Sequence, residues 1–296
     1  MRSRILGRLE LDHLELSADL AYLESVPRAD ESYDEFSNGY WQNLALWNAT
    51  GDSADDIYRD VNQAPQLTEH GKNCNYLRNL VETTFDTSHL AMVRTRNLVD
   101  AVVIPHRDFV ELDKPVDKYF RVLMFLESNS SAFHSNDSAV FNMQPGEVWF
   151  LDAASVHSAA NFSADSRQML CLDFVFDGDF DESDIFADSA SYDPTLTPTF
   201  IARPELAESE LLGILDLASL TNRTNFKEIL FLLSKVHYSF DVPGESTYTW
   251  LSTISERTGD VALIDKARRL TEYAIGARGL TERFNLNSWT DRTVAV

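Results

Sequence analysis

The middle of the chain, from about residue 90 to about residue 180, consists of short segments rich in β-branched and aromatic residues. They read LAMVRTRNLV, AVVIPHRDFVEL, KYFRVLMFLES, AVFNMQ, EVWFLDA and MLCLDFVFD. Pro-Gly, Asn-Ser and Ala-Asp-Ser clusters separate them, and such clusters mark turns. Several short strands at this spacing indicate an antiparallel sandwich or barrel rather than a βαβ fold.

Helical patterns flank this β-rich region on both sides. Leu11–Val26 and Asn75–Phe85 carry apolar residues at helical spacing, and the stretch YDEFSNGYWQNLALWNATG between them is rich in turn residues. From about residue 205 to about residue 285 the pattern is helical throughout. The Pro-containing segment Asp193–Pro204 is the best candidate for a linker, because Pro ends regular elements and stiffens connections.

Charge and cysteine content exclude several classes of protein. The chain has 47 acidic residues against 25 Lys and Arg, and its net charge of −22 repels nucleic acid and anionic lipid. Cys74 and Cys171 form no CxxC pair, so a reducing compartment is favoured over a disulfide scaffold. The amino terminus lacks the apolar core of a secretory signal, and no window approaches the ~20 apolar residues of a membrane span. We expect a cytoplasmic protein with neither nucleic-acid nor membrane partners.

A candidate metal site begins in the segment VVIPHRDFVE, where His106 and Asp108 are two positions apart. Residues i and i+2 of a strand project from the same face, so both side chains can reach one ion while Arg107 points away. About one His followed two positions later by an acidic residue is expected by chance in a chain with 7 His and 47 acidic residues. His13 and Glu15 form a second pair of this kind. That pair falls in a predicted helix, where positions i and i+2 diverge by about 200° and cannot share a metal. The strand context therefore favours His106.

A third ligand and an anion-binding group follow further along the chain. His157 comes just after the predicted strand EVWFLDA, which the Pro145-Gly146 turn introduces. Two imidazoles and one carboxylate form the facial set that holds Fe(II) and leaves coordination positions open. Arg167 lies in SADSRQMLCLDFVF at the start of another predicted strand, and a buried guanidinium needs an anion. The order of these residues predicts a metal site beside a carboxylate-binding Arg.

This ordered set resembles the site of the Fe(II)/2-oxoglutarate-dependent dioxygenases, which share a double-stranded β-helix, or jelly roll. Over nearly the whole chain, segments such as VVIPHRDFVELD, PGEVWFLDAASVHSAANF and NFKEILFLLSKVHYSFDV resemble the bacterial L-proline 3-hydroxylases. The resemblance implies a mainly β protein with helices. Its expected parts are a jelly-roll domain with amino-terminal helices at residues 1–200, a carboxy-terminal helical domain at 201–290 and a tail at 291–296.

The resemblance also implies roles for individual residues. It assigns Fe(II) to His106, Asp108 and His157, and it assigns 2-oxoglutarate, the co-substrate used with O₂, to Arg167. His134 is implied as a co-substrate contact, with a place in an exposed turn as the alternative. The candidates for binding the substrate are Arg121, Arg94 and Arg96, and for Arg94 and Arg96 a strip of surface ion pairs is the alternative.

The implied reaction is hydroxylation of a free cyclic L-amino acid, at C3 of L-proline. L-pipecolate, with one more methylene, or another amino acid is an alternative substrate, because a hydrophobic pocket discriminates one methylene by only about 1–3 kcal/mol. A cupin-type metalloenzyme that needs no 2-oxoglutarate and a non-catalytic binding protein are the competing functional classes. Both a monomer and a homodimer stay open. The aromatic residues expected to close an apolar pocket over the substrate ring, or else to fill the core, are Tyr33, Phe36, Tyr40 and Trp41.

Overall fold

The computed structural model describes residues 3–27, 36–59, 63–112, 114–279, 282–289 and 294–295. The strands are β1 (Arg4–Arg8), β2 (Tyr40–Asn48), β3 (Gln66–Leu67), β4 (Leu90–Val99), β5 (Ala101–His106), β6 (Tyr119–Phe125), β7 (Ala132–Asn136), β8 (Ala139–Phe141), β9 (Glu147–Leu151), β10 (His157–Asn161), β11 (Gln168–Val175), β12 (Glu282–Arg283) and β13 (Val294–Ala295). The α-helices are α1 (His13–Ser25), α2 (Glu69–Asn73), α3 (Asn75–Thr84), α4 (Glu208–Leu215), α5 (Phe226–Ser239), α6 (Ser246–Thr258) and α7 (Val261–Ile275).

Eight consecutive strands, β4 to β11, wind into a double-stranded β-helix. One sheet contains the order β9-β6-β11-β4 and the other has the order β5-β10-β7-β8. Neighbouring strands in both sheets run antiparallel. The larger sheet continues with β1 beyond β9 and with β2 and β3 beyond β4, which brings it to seven strands. The predicted jelly roll is confirmed.

Both faces of the larger sheet are buried, which explains why its strands read as continuous apolar runs. In β6, Phe120, Val122 and Met124 join a hydrophobic cluster with residues of α1 and α3 on the outside of the sheet. Leu123 and Phe125, on the alternate positions, pack between the two sheets. Such a strand shows no alternation of polar and apolar residues because neither of its faces meets water.

Helices cover the smaller sheet as well. Ile104 of β5 shares one hydrophobic cluster with Leu230 of α5, Leu251 of α6 and Leu270 of α7. The carboxy-terminal helices are therefore packed directly against the strand that ends at His106. The division of the chain into domains at residue 200 stays a prediction.

The predicted helices are confirmed, and local signals set their limits. At the start of α1, the Asp12 side chain accepts hydrogen bonds from the backbone N–H groups of Leu14 and Glu15. Gly259 follows α6 with φ of 71°, a left-handed conformation that glycine adopts without strain. Asp260 then caps α7. Within the described ranges, no helix is both long enough and apolar enough to cross a membrane.

Three parts of the chain differ from the expectation. The helical pattern expected up to about residue 285 ends with α7 at Ile275, and Glu282–Arg283 form the strand β12. The turn-rich stretch expected before residue 50 contains β2, which pairs with β4 along most of its length, and β1 was not predicted at all. His13 and Glu15 lie in the first turn of α1, as expected. Their side chains diverge because positions i and i+2 of a helix point in different directions, so the two cannot share a metal. The proposed linker Asp193–Pro204 contains neither a helix nor a regular strand.

Candidate active site

The two imidazoles of the predicted metal site come from neighbouring strands of the smaller sheet. His106, the last residue of β5, is the register partner of His157, the first residue of β10. Their ring centroids lie 4.3 Å apart. Asp108 Oδ1 is 3.5 Å from His106 Nε2, and Asp108 Oδ2 is 3.8 Å from His157 Nε2. One ligand atom from each residue lies within 4.8 Å of the others, so the structure brings the three predicted ligands together.

Asp108 reaches this position from a turn and not from the strand itself. β5 ends at His106, and the backbone N–H of Asp108 donates a hydrogen bond to Ala153 O at 2.8 Å. Phe109 follows with φ of 64°, a conformation that a bulky side chain rarely adopts. The prediction that the side chains of His106 and Asp108 converge is therefore confirmed. The reason differs, because the turn after β5, and not strand periodicity, places Asp108 beside His106.

Hydrogen bonds fix both imidazoles in the form that binds a metal. Nδ1 of His106 lies 2.9 Å from Ile104 O, and Nδ1 of His157 lies 3.1 Å from Ser155 O. A carbonyl oxygen only accepts, so each Nδ1 carries the proton and each Nε2 presents its lone pair toward Asp108. Burial, above all, lowers the pKa of His106 to about 4 and the pKa of His157 to about 3. Both rings are neutral at pH 7.

Arg121 holds the carboxylate of the cluster. Its Nη1 donates to Asp108 Oδ2, and its Nε donates to Asp173 Oδ1 at 2.7 Å. Arg94 donates to the other oxygen of Asp173, also at 2.7 Å. Burial opposes ionisation of Asp108, but Arg121 together with the two imidazoles and Arg278 keeps the pKa of this carboxyl well below its usual range. Arg121 and Arg94, two of the predicted substrate-binding residues, thus share a buried carboxylate of the protein itself, and their role toward a substrate stays a prediction.

Arg167 is buried beside the metal cluster without an acidic partner among the residues that the structure describes. It is 1% exposed, and its guanidinium lies 4.7 Å from the centre of the Phe125 ring. Its Nη2 donates to His134 Nδ1 at 2.7 Å, while its Nε is buried and has no hydrogen-bond partner in the described part of the chain. Burial lowers the pKa of Arg167 to about 9, against a raising effect of Tyr238. The site therefore contains a desolvated cation that meets no anion in the described part of the chain.

His134 lies on β7 and is 3% exposed, so the alternative of an exposed turn is wrong. Because its Nδ1 accepts a hydrogen bond from Arg167, the ring is neutral. Burial, reinforced by Arg167, holds the pKa of His134 well below its usual range. His134 lines the same cavity as Arg167, and its contact with a co-substrate stays a prediction.

Arg96 is the third Arg predicted to face a substrate. It lines the cavity, and its guanidinium lies 5.9 Å from the centre of the Trp41 ring. Its Nε is buried and donates to no acceptor among the described residues. Burial lowers the pKa of Arg96. Like Arg167, it is a cation in the cavity wall, and although the charge of Asp173 acts to raise its pKa, its Nε has no acid as a hydrogen-bond partner within the described ranges.

Aromatic side chains form much of the apolar wall. Of the four aromatic residues predicted to close a pocket, Phe36 and Trp41 line the cavity, and Tyr40 is not part of its wall. Tyr33 lies outside the described residues. Tyr58 and Phe109 complete the aromatic lining.

Two further charged residues at the site had no clear signal in the sequence. Glu111 lines the cavity three positions after Asp108. Arg278 follows α7, and its Nη2 lies 3.4 Å from Asp108 Oδ1 and 3.5 Å from Glu111 Oε2. Closeness to Asp108 in the chain is a weak signal for Glu111, whereas 170 positions separate Arg278 from Asp108.

The donor set fits a divalent transition metal. Two neutral imidazole nitrogens and one carboxylate oxygen on one side of a cavity form the facial arrangement of non-haem Fe(II) sites. Asp108 is already ionised, so a metal need not displace a proton from any of the three ligands. Arg167 next to them fits the far carboxylate of an anionic ligand.

Two family models match this chain. The model described as aspartyl/asparaginyl beta-hydroxylase matches residues 11–176, and that of the L-proline 3-hydroxylase carboxy-terminal region matches residues 182–282. L-proline cis-3-hydroxylase 2 of a Streptomyces species is 54% identical, covering 98% of this chain and 100% of its own. L-proline cis-3-hydroxylase 1 of a Streptomyces species is 52% identical with the same coverage. L-proline cis-4-hydroxylase of Rhizobium meliloti (strain 1021) is 35% identical, covering 94% of this chain and 97% of its own. With matches over this length, the chain belongs to the L-proline 3-hydroxylase family and is an enzyme of that type.

Proposed function

We propose that this enzyme hydroxylates free L-proline at C3, using Fe(II), 2-oxoglutarate and O₂. The observation that carries the proposal is the buried guanidinium of Arg167, which meets no acid among the described residues, beside the His106, Asp108 and His157 cluster. A metal site alone fits many enzymes, but a desolvated Arg next to it favours a metal-chelating ligand with a second carboxylate. When bound, Fe(II) with 2-oxoglutarate and O₂ supplies the oxidising power to place one oxygen atom on an unactivated carbon, with succinate and CO₂ as co-products.

His106, Asp108 and His157 would hold the metal. Their Nδ1–H bonds to backbone carbonyls orient both rings, and Arg121 orients the carboxylate. Arg121 orients the Asp108 carboxylate but is not itself a metal ligand, because a guanidinium has no lone pair available for a metal. The ligand geometry is thus prepared by the protein before a metal arrives.

Arg167 and His134 would bind the far carboxylate of 2-oxoglutarate. Burial of Arg167 without an acid is costly, and a carboxylate at its guanidinium removes that cost. Since His134 Nδ1 accepts from Arg167 at 2.7 Å, the proton lies on Nε2, which is 3.4 Å from the same guanidinium and can donate to the ligand bound there. This pair favours a dicarboxylate over a monocarboxylate at the metal.

Among the three predicted substrate arginines, the charges favour Arg96 as the partner of the amino acid's carboxylate. Arg94 and Arg121 donate hydrogen bonds to Asp173, whereas Arg96 Nε has no acceptor within the described ranges and Arg96 interacts with Asp173 only through its charge. Trp41, on which Arg96 lies, also lines the cavity, so an apolar ring can pack near the cation that binds its carboxylate.

The relatives favour attack at C3 of proline. The two relatives with 54% and 52% identity are named as cis-3-hydroxylases, and the relative with 35% identity is named as a cis-4-hydroxylase. L-pipecolate is the alternative substrate, since its extra methylene changes the binding free energy by only about 1–3 kcal/mol.

The test is to load the protein with Fe(II) and 2-oxoglutarate without O₂, add L-proline or L-pipecolate, and then admit O₂. We expect 3-hydroxyproline, identified by NMR, in a one-to-one ratio with succinate. Product formation without 2-oxoglutarate would instead support a cupin-type enzyme, and absence of any amino acid product would refute the proposal.

Binding measurements on an Arg167 variant test the co-substrate site separately. We expect Arg167→Met to weaken 2-oxoglutarate binding by about 10- to 100-fold and to leave Fe(II) binding close to that of the wild type. Arg268→Met, at a side chain that is 70% exposed on α7, is the matched control. Equal 2-oxoglutarate affinity in the two variants would contradict the role of Arg167.

A further inference from the structure

Glu111 is a partly buried acid in the cavity wall, and one of its oxygens has no hydrogen-bond partner among the described residues. Its side chain is 17% exposed, and its Oε2 is buried and accepts no hydrogen bond from the described residues. The cation beside it is Arg278, whose Nη2 is 3.5 Å away, beyond the distance of a strong charge-assisted hydrogen bond. A carboxylate that is desolvated but incompletely paired is a candidate for a positively charged ligand group.

The other acid in the cavity wall is already occupied. Asp108 faces both imidazoles of the metal cluster and accepts a hydrogen bond from Arg121. Asp173 lies behind the wall, where Arg94 and Arg121 saturate its two oxygens. Among the described acids that line the cavity, Glu111 is therefore the one with capacity for a ligand.

A free amino acid brings a cation as well as an anion into this cavity. Its ammonium would be strongly destabilised in a desolvated site unless an acceptor received it. The arginines of the wall, Arg94, Arg96, Arg121 and Arg167, all repel a cation. Each of them can pair only with a carboxylate, whether of the protein or of a ligand. The charge pattern of the wall thus leaves one position where the ammonium is favoured.

We propose that Glu111 accepts a hydrogen bond from the ring ammonium of the amino acid substrate. This inference rests on the proposed function, because it assumes a free amino acid in the cavity. In this structure the positive charge near Glu111 is that of Arg278, which follows α7 and lies 3.5 Å from Glu111 Oε2. The Arg278 guanidinium also lies 5.3 Å from the centre of the Phe36 ring. Glu111 would make the enzyme reject carboxylic acids that lack the amine, since their binding leaves the carboxylate unpaired.

The experiment compares the binding of L-proline with that of cyclopentanecarboxylate, which has the same ring size and carboxylate but no nitrogen. Isothermal titration calorimetry is carried out on the enzyme loaded with Fe(II) and 2-oxoglutarate in the absence of O₂, so that binding and not turnover is measured. For the wild type we expect L-proline to bind about 10- to 100-fold more tightly than the analogue. For Glu111→Gln we expect L-proline binding to weaken by a similar factor, and binding of the analogue to stay unchanged or improve.

Glu256→Gln, which removes the same charge from an exposed position on α6, is the control and should behave as the wild type. Unchanged 2-oxoglutarate affinity in Glu111→Gln checks that the variant is folded. Wild-type discrimination in Glu111→Gln, or an equal loss of affinity for both ligands, would overturn the role of Glu111 while leaving the proposed function intact. If the wild type binds no amino acid, the proposed function fails, and this inference fails with it.

Discussion

Asp173 pairs with two arginines of the cavity wall, Arg94 and Arg121, and removal of its charge should destabilise the fold strongly. Its side chain is 1% exposed and accepts hydrogen bonds of 2.7 Å from both Arg121 and Arg94. Asp173→Asn preserves the volume but removes the charge and places an amide NH₂ near a guanidinium. Removing one member of a buried ion pair costs about 3–5 kcal/mol, because the remaining charge stays desolvated.

The effect should depend on pH in a defined direction. Burial raises the pKa of Asp173, but Arg121 and Arg94 together lower it by more than burial raises it. The pKa of Asp173 therefore lies below its ordinary value of 3.8. A group with a depressed pKa in the folded state stabilises the fold above its ordinary pKa, and that contribution disappears as the pH falls through the depressed value. The difference in free energy of unfolding between wild type and variant should therefore be complete at neutral pH and shrink below pH 3.8.

Urea unfolding followed by tryptophan fluorescence measures this difference, and the chain supplies a matched control. Asp265 on α7 also bridges two arginines, Arg268 and Arg269, at 2.9 Å each, but its side chain is 49% exposed. Asp265→Asn should change the midpoint little, because solvent screens exposed ion pairs. If Asp173→Asn unfolds at the same urea concentration as Asp265→Asn, the reasoning that burial makes this carboxylate essential is refuted.

Three further predictions concern stability. Burial lowers the pKa of His237 to about 3, so acidification from about pH 7.5 to about pH 5.5 protonates this residue in the unfolded state selectively, and His237 by itself should contribute about 1 kcal/mol to the loss of stability. His106, His134 and His157 contribute in the same direction, so urea unfolding of His237→Gln should show a loss that is smaller by that amount and not absent. Gly71→Ala should lower the melting temperature, because its Cβ would lie 2.3 Å from Leu46 O, whereas Gly213→Ala, with nothing within 4 Å, should not. The buried Lys266 ammonium donates to three backbone carbonyls after α7. Lys266→Met should lower the free energy of unfolding in urea by about 1–3 kcal/mol and speed proteolysis of the segment that contains those carbonyls. An unchanged cleavage rate would contradict the role of Lys266 in holding this segment.

The jelly roll could be predicted from the sequence because its strands are short and separated by turn residues, but β2 could not. The segment YWQNLALWN is buried along most of its length, with Ala45 between the sheets and Leu44 and Leu46 beneath the outer helices. A strand covered on both faces shows no polar–apolar alternation, and the turn residues before and after it dominate its local signal. What makes it a strand is its pairing with β4, a non-local contact.

The same limit applies to the site. The residue types and their order indicated His106, Asp108, His157 and Arg167, because imidazole, carboxylate and guanidinium have few joint uses in a buried setting. The requirement that Arg121 meet an anion was also readable, but the anion is Asp173, 52 positions away on the adjacent strand. Strand register decides such partners, and register is a property of the folded sheet.

The helices after residue 200 take part in building the site. Tyr248 of α6 donates to Pro105 O, immediately before His106. Arg107 lies between His106 and Asp108, and its backbone N–H donates to Ala274 O at the end of α7. Its side chain also reaches this helix, because Arg107 Nη1 lies 3.4 Å from Ile275 O. Arg107 thus points away from the cavity, as predicted, and the helices hold the backbone on both sides of His106. Because a shift of about 1 Å in a ligand is enough to impair catalysis, this support makes the helical region part of the machinery that positions the metal ligands.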